Sequence, residues 1–318
     1  MAKVIRIGTR ESQLAVWQAK AVQQLLANNH FRSELVFIKS EGDIDLQTPL
    51  YEMGVQGIFT KSLDIALLSN KIDIAVHSMK DVPTQLAGGI AQAAVLERAS
   101  YKDILVYKGE PDPVIARLST VTDYSEKTHA PPFTIATSSI RRRAQWLNRY
   151  PDDIIDNLRG NVNTRLRKLN EHNWNGAIFA AAGLERIKLR PENSVDLDWM
   201  LPAPAQGAIM VVCRKEDDFC LDACQPFNNS ETELCTKIER DFLRTLLGGC
   251  STPISALAAI KNKILFFKGN ILSADGKEKV EIEKTKSCEE AGDLGINAAT
   301  EILTRGADVI SEVFRNGK

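Results

Sequence analysis

Two rhythms of apolar residues alternate along the chain. Over 4–9 they run as a strand, and Gly8-Thr9-Arg10-Glu11-Ser12 turns that run into a helix whose apolar face holds Leu14, Trp17, Ala21 and Leu25. A second strand is predicted over 35–40, a helix over 59–68 and a buried-type strand over 73–77. Between them, 41–57 carries Gly, Asp and Pro punctuation and reads as a long loop. Strands at 91–96 and 103–107 stand where the chain crosses out of this unit. Strands alternating with helices imply a doubly wound parallel or mixed sheet.

The alternation pauses and restarts. Residues 111–132 are polar and proline-containing, a predicted surface excursion. Strands at 133–138, 154–158 and 177–182 then alternate with helices at 139–150 and 162–170 and a short helix near Leu184. This is a second α/β unit of similar size. Leu201-Pro202-Ala203-Pro204-Ala205-Gln206-Gly207 reads as a hinge-like linker, and the apolar strand 208–213 after it fits a return to the first unit. From about Ser230 the pattern changes. Ser230 and Glu233 make a candidate capping box for a helix with Leu234, Ile238, Phe242 and Leu246 at helical spacing. Runs at 254–260, 264–268 and 280–283 suggest an antiparallel meander, and helices near 291–303 and 307–314 follow. The expected fold class is α/β. It has two doubly wound domains, 1–100 with 207–226 and 103–201, and a smaller α+β domain with an antiparallel sheet over 229–318.

A chain of 318 residues exceeds one ordinary core. It is 44% hydrophobic and 25% charged, with a formal net charge of −1. Near-neutrality argues against a nucleic-acid or membrane-surface binder, and aromatic residues at 6% are few for stacking on bases. No apolar run reaches the 18 residues of a membrane span. Met1-Ala2-Lys3-Val4-Ile5-Arg6 enters a strand pattern without a signal-like apolar region, so a cytoplasmic protein is expected. Cys213, Cys220, Cys224, Cys235, Cys250 and Cys288 fit free thiols there. Four of them crowd into 213–235, but they lack a C-x2-C pair, and no metal site is expected.

The candidate chemistry lies in charge standing where helix physics disfavours it. Arg141, Arg142 and Arg143 occupy the first turn after Thr137-Ser138-Ser139, at the positive end of a helix dipole. Arg10 stands at the start of the first helix, and Arg159 and Arg165 bracket Gly160-Asn161-Val162-Asn163-Thr164 at the start of another. Each lies at the C-terminal end of a predicted strand, where open α/β sheets bind ligands. Helix-start amides, hydroxyls and guanidinium forks together suit a small molecule with several carboxylates or phosphates. The Ser/Thr turn lacks the Gly-x4-Gly-Lys pattern, which disfavours ATP. His77-Ser78-Met79-Lys80-Asp81-Val82-Pro83 holds either a Lys–Asp surface pair before a proline turn or a carboxylate, Asp81, at the cleft mouth among cations, able to hold a ring N–H and stabilise developing positive charge. Finally, Gly248 and Gly249 end a helix and leave Cys250 in a thinly covered turn. On these residues alone Cys250 is either a small semi-buried side chain or a thiol carrying a covalent group.

These stretches resemble the porphobilinogen deaminase (hydroxymethylbilane synthase) family over nearly the full length. The marks are Ile7-Gly8-Thr9-Arg10-Glu11-Ser12, the run from Asp73 to Pro83, Thr137-Ser138-Ser139-Ile140-Arg141-Arg142, the run from Leu158 to Arg165, Gln206-Gly207-Ala208 and Gly248-Gly249-Cys250. The resemblance implies two domains like the lobes of periplasmic binding proteins and a third that carries the cofactor cysteine. It implies a monomeric enzyme that joins four porphobilinogen molecules head to tail with release of ammonia. Its product, hydroxymethylbilane, feeds tetrapyrrole and haem synthesis. The implied cofactor is a dipyrromethane in thioether linkage to Cys250, which favours the second reading of that residue. By the same resemblance Asp81, Arg10 and Lys80 are catalytic. Lys80, Asp81, Thr137, Ser138, Ser139, Arg141, Arg142 and Gly183 hold the cofactor, and Arg10, Ser12, Phe59, Arg159, Arg165 and Gln206 hold substrate. Loss of ammonia gives an electron-poor azafulvene, whose cation Asp81 stabilises. The sequence departs from the family at Gly54-Val55-Gln56-Gly57, where a lysine often stands in place of Gln56, and in a longer excursion over 111–132. No nucleic-acid or membrane partner is expected. The alternative to an enzyme is a non-catalytic binding protein for a small polycarboxylate.

Overall fold

A computed structural model describes residues 3–39, 60–111, 131–246 and 252–316, with 114, 116 and 118. The first sheet has the order β2-β1-β3-β10-β4. Its strands are β1 (Ile5–Thr9), β2 (Ser33–Phe37), β3 (Ile74–Ser78), β4 (Ile90–Val95) and β10 (Ile209–Arg214). β1 runs parallel to β2 and β3, while β10 is antiparallel to both β3 and β4. Ile5, Ile7, Ile74 and Val211 are fully or almost fully buried, as strands covered on both faces require. Helices α1 (Gln13–Asn28) and α2 (Lys61–Leu68) cover this sheet.

The second sheet repeats the plan with the order β7-β6-β8-β5-β9. Its strands are β5 (Asp103–Tyr107), β6 (Thr134–Ala136), β7 (Ile154–Asp156), β8 (Gly176–Ala180) and β9 (Ser194–Asp196). Here β5 is the antiparallel strand, paired with β8 and β9. Each sheet therefore takes its antiparallel strand from one of the two crossings between sheets. Helices α3 (Ile140–Arg149), α4 (Val162–Glu171) and α5 (Ala181–Arg186) follow β6, β7 and β8 in turn. After β10 comes α6 (Asp218–Cys224).

The last part is α7 (Ser230–Thr245), the antiparallel strands β11 (Ile254–Lys261), β12 (Ile264–Leu272) and β13 (Lys279–Ser287), then α8 (Leu294–Ile302) and α9 (Asp308–Asn316). Phe242 of α7 meets Phe267 of β12 edge-on at 5.2 Å, and Ile238, Ile271 and Ala298 fill the same core. Gly269 is where the Phe242 ring sits down; a Cβ there would lie 2.6 Å from it.

The α/β class with an antiparallel third sheet is as expected, and β10 returns to the first sheet. Several details differ. α1 buries Gln18, Ala19, Val22 and Leu26, whereas Trp17 is 39% exposed, so its inner face is turned about one residue from the predicted one. A glutamine reads as outward by pattern, but the Gln18 amide donates to Ser78 Oγ at 2.8 Å and is satisfied inside. The α7 cap is Asn229, which accepts from Thr232 N at 2.8 Å, not Ser230. The second strand ends at Phe37, and the one predicted over 177–182 yields to α5 at Ala181. β12 and β13 outrun their apolar cores because cross-strand pairing continues through polar positions. α6 and β9 were not expected. The loop over 41–57, including Gln56, the start of the helix predicted over 59–68 and most of the 111–132 excursion lie outside the described residues.

Candidate functional site

A cavity of about 320 Å³ lies between the two sheets, at the C-terminal ends of β1, β3, β6 and β8. That size is in the range of small-molecule sites. β3 ends in a tight turn, Met79–Asp81, which presents Lys80 and Asp81. Buried Met79 anchors this turn from below, and Arg240 of α7 clamps it from outside. The Arg240 guanidinium donates to Val82 O at 2.9 Å and Pro83 O at 2.6 Å.

Three helix N-termini face the cavity. Each is capped by a side chain of the predicted turns: Ser12 accepts from Ala15 N, Ser139 from Arg142 N and Asn161 from Thr164 N. Ser138 donates its hydroxyl to Leu158 O at 2.6 Å, which ties the end of β6 to the approach of α4. Of the predicted site residues, Arg10, Ser12, Lys80, Asp81, Ser138 and Ser139 line the cavity. So do Arg141, Arg142, Arg159, Arg165, Gly183 and Gln206. Thr137 does not. It lies behind the turn, where its hydroxyl accepts from Ser139 N. Arg143 is exposed on the far side of α3 and takes no part. Phe59 and Cys250 lie outside the described residues.

The arginines are held by protein contacts as well as facing the cavity. Arg165 Nε donates to Gly160 O at 2.8 Å. Arg141 and Arg142 both donate to Asp103, a fully buried carboxylate that pattern reading passed over. Its signal was there: one acidic residue heads the otherwise apolar run Asp103-Ile104-Leu105-Val106. Arg186 also lines the cavity, donating to Gly207 O at 2.7 Å, and was missed because a cation in a helix's last turn is ordinary.

Crowding of cations shapes the electrostatics. Burial pushes Lys80 down to about 8; Asp81 and Asp103 oppose this, while Arg142 and Arg141 add to it. Burial likewise brings Arg165 down to about 10, with Arg142 and Arg159 lowering it further and Asp81 raising it. His77, buried at the cavity wall, falls from 6.5 to about 4 through burial first and Arg10 second. Among the described lining residues, seven cations face one carboxylate, Asp81. Among the described residues, the buried Nε of Arg141 has no hydrogen-bond partner. Such a donor set fits a ligand rich in carboxylates that also offers an N–H to Asp81, which is the chemistry of a dipyrromethane with its acidic side chains.

Two α/β sheets close on a cationic cleft, with the third sheet packed beside them, the layout of a two-lobed protein suited to a small polyanion. Comparison with known proteins makes this particular. Residues 5–222 match the family description "Porphobilinogen deaminase, dipyromethane cofactor binding domain", and 233–304 match the C-terminal domain of the same family. The chain is 39% identical to the porphobilinogen deaminase of Chlorobium phaeobacteroides (strain BS1), covering 98% of this chain and 99% of that protein. The chain belongs to the porphobilinogen deaminase family. It is a transferase of tetrapyrrole biosynthesis, and its cofactor is a dipyrromethane. Solved structures with weaker likeness include the probable amino-acid ABC transporter extracellular-binding protein of Bacillus subtilis, at 11% identity and TM-score 0.40 over 71% of this chain and 90% of that one. A Streptococcus mutans structure from work on glutathione import aligns at 10% identity and TM-score 0.40, over 71% of this chain and 87% of that one.

Proposed function

We infer that the cation-lined cleft is where the family's reaction takes place in this chain: four porphobilinogen molecules joined head to tail, with release of ammonia, to give hydroxymethylbilane. The observation that carries this is the seven-to-one excess of cations over carboxylates around the turn that presents Asp81. Porphobilinogen brings an acetate and a propionate, so every added unit brings two more carboxylates to be neutralised.

The residues divide the work by position. Arg141 and Arg142 at the head of α3, with Lys80, Asp81, Ser138, Ser139 and Gly183, are assigned to the cofactor. Thr137 supports them from behind through Ser139. Arg10, Ser12, Arg159, Arg165 and Gln206 take the carboxylates and ring of incoming substrate, with Phe59 assigned to the same wall. Asp81 accepts pyrrole N–H groups and stabilises positive charge as the ammonia leaves. Low dielectric in the cleft makes that carboxylate worth far more than in water. Cys250 would hold the dipyrromethane by thioether, and the group would supply a free pyrrole α-carbon as nucleophile.

The three sheets support the domain division 1–100 with 207–226, 103–201 and 229–318. A monomer in the cytoplasm completes the reading, open to light scattering and fractionation. Intact mass spectrometry tests the whole. The purified chain should carry an adduct of two pyrrole units that is absent from Cys250→Ser. An unmodified, folded chain that is fully active would sink it.

A further inference from the structure

Asp103 opens β5 where the chain enters the second sheet, and its side chain is wholly buried. Four hydrogen bonds converge on it. Oδ1 accepts from Arg142 Nη2 at 2.7 Å, Arg142 Nε at 3.1 Å and Gln206 Nε2 at 2.9 Å, and Oδ2 accepts from Arg141 Nη2 at 2.7 Å. The arginines are pinned on their other sides as well: Arg141 Nη1 donates to Leu201 O and Arg142 Nη1 to Ile178 O. Gln206 has no choice of orientation. Its Nε2 donates to Asp103 and to Tyr101 O, so its Oε1 is left to accept from Lys80 Nζ at 3.2 Å. Burial opposes the Asp103 charge, yet Arg141 and Arg142 hold it far below the usual carboxylate range.

We propose that Asp103 is a positioning residue of the cleft. One buried carboxylate aims Arg141, Arg142 and, through the Gln206 amide, the Lys80 ammonium at a single bound polyanion. This rests on the reading of the cleft given above. It goes beyond that reading by placing the organiser of the cations outside the cavity wall, where no ligand touches it. Asparagine cannot replace it. Asn has one acceptor oxygen, and its amide protons would face guanidinium protons. Among the charged groups around Lys80, Asp81 and Asp103 favour its ammonium form, and Arg142 and Arg141 disfavour it. Loss of the Asp103 charge tips that balance toward the neutral amine.

The test is the titration of Lys80 itself, read by pH-dependent competitive acetylation and peptide mass spectrometry on the full chain. The wild-type midpoint, measured with the cofactor in place, is the reference. Asp103→Asn should lower the midpoint by about 1 unit, and Asp103→Glu, which keeps the charge, should restore most of it. Alongside, kcat/KM for porphobilinogen should fall more than tenfold in Asp103→Asn and less in Asp103→Glu. A folded Asp103→Asn with an unmoved Lys80 midpoint overturns the proposal, whatever its activity. If that variant does not fold, Gln206→Leu decides: removing the amide oxygen should move the midpoint in the same direction, and an unchanged midpoint overturns the proposal. A wild-type chain that fails to consume porphobilinogen would sink the functional reading, while the titration would still decide this one.

Discussion

Arg142 and Arg143 are adjacent in sequence and opposite in the fold. Arg142 is buried, with three donors committed to Asp103 and Ile178 O; Arg143 is exposed. Arg142→Leu removes two of the four hydrogen bonds to a buried carboxylate and should cost about 3–5 kcal/mol of stability as well as turnover. Arg143→Leu should stay within about 0.5 kcal/mol, and paired denaturant titrations compare them. Asp81→Asn keeps shape but removes the negative charge from the cleft. It should leave the fold intact and lower kcat by about two to three orders of magnitude. Near-normal steady-state turnover would remove Asp81 from the catalytic role. His77 gives a pH signature. Its folded pKa is depressed from 6.5 to about 4, so the unfolded chain takes up the proton first. Native stability tied to it is intact above pH 6.5 and is lost as pH falls toward 4, by roughly 3 kcal/mol. His77→Gln should lose less over the same window, as unfolding curves at pH 7, 5.5 and 4 would reveal.

At the level of elements, what was legible in the sequence was periodicity and charge placement. The strand–helix alternation and the arginines at three helix starts were visible because both depend on local spacing. The partners of Asp103 and the pairing of Arg98 with Glu239 were not, since they lie far along the chain. Gln18 misled the reading of α1 for the same reason: its partner Ser78 is sixty positions away. Ser139 shows the local kind of information at work. Its hydroxyl receives the Arg142 N–H and so sets where α3 begins. Ser139→Ala should cost about 1 kcal/mol, and Ser139→Asp should recover part of it, measured by thermal melts.

On the scale of the whole molecule, both crossings between the sheets are tied to the third domain. Arg98 donates to Gln206 O at 2.8 Å and to Glu239 at 2.6 Å, and Glu239 accepts from Ala205 N at 2.6 Å and Ala258 N at 2.7 Å. Gly207, at φ 88°, lies in this knot; a Cβ there would stand 2.7 Å from Ala99 O. The position of β10 has a further consequence, for how the protein is made. It lies between β3 and β4, yet it is encoded after the entire second sheet. On a ribosome, the first lobe therefore emerges with β4 lacking its strand partner and one edge of β3 open, and it stays so until more than a hundred further residues have been added. Such edges invite aggregation of a nascent chain. A fragment ending at residue 205 should therefore be protease-sensitive and prone to aggregate, whereas adding 206–226 in trans as a peptide should restore protection to β3 and β4 in hydrogen exchange.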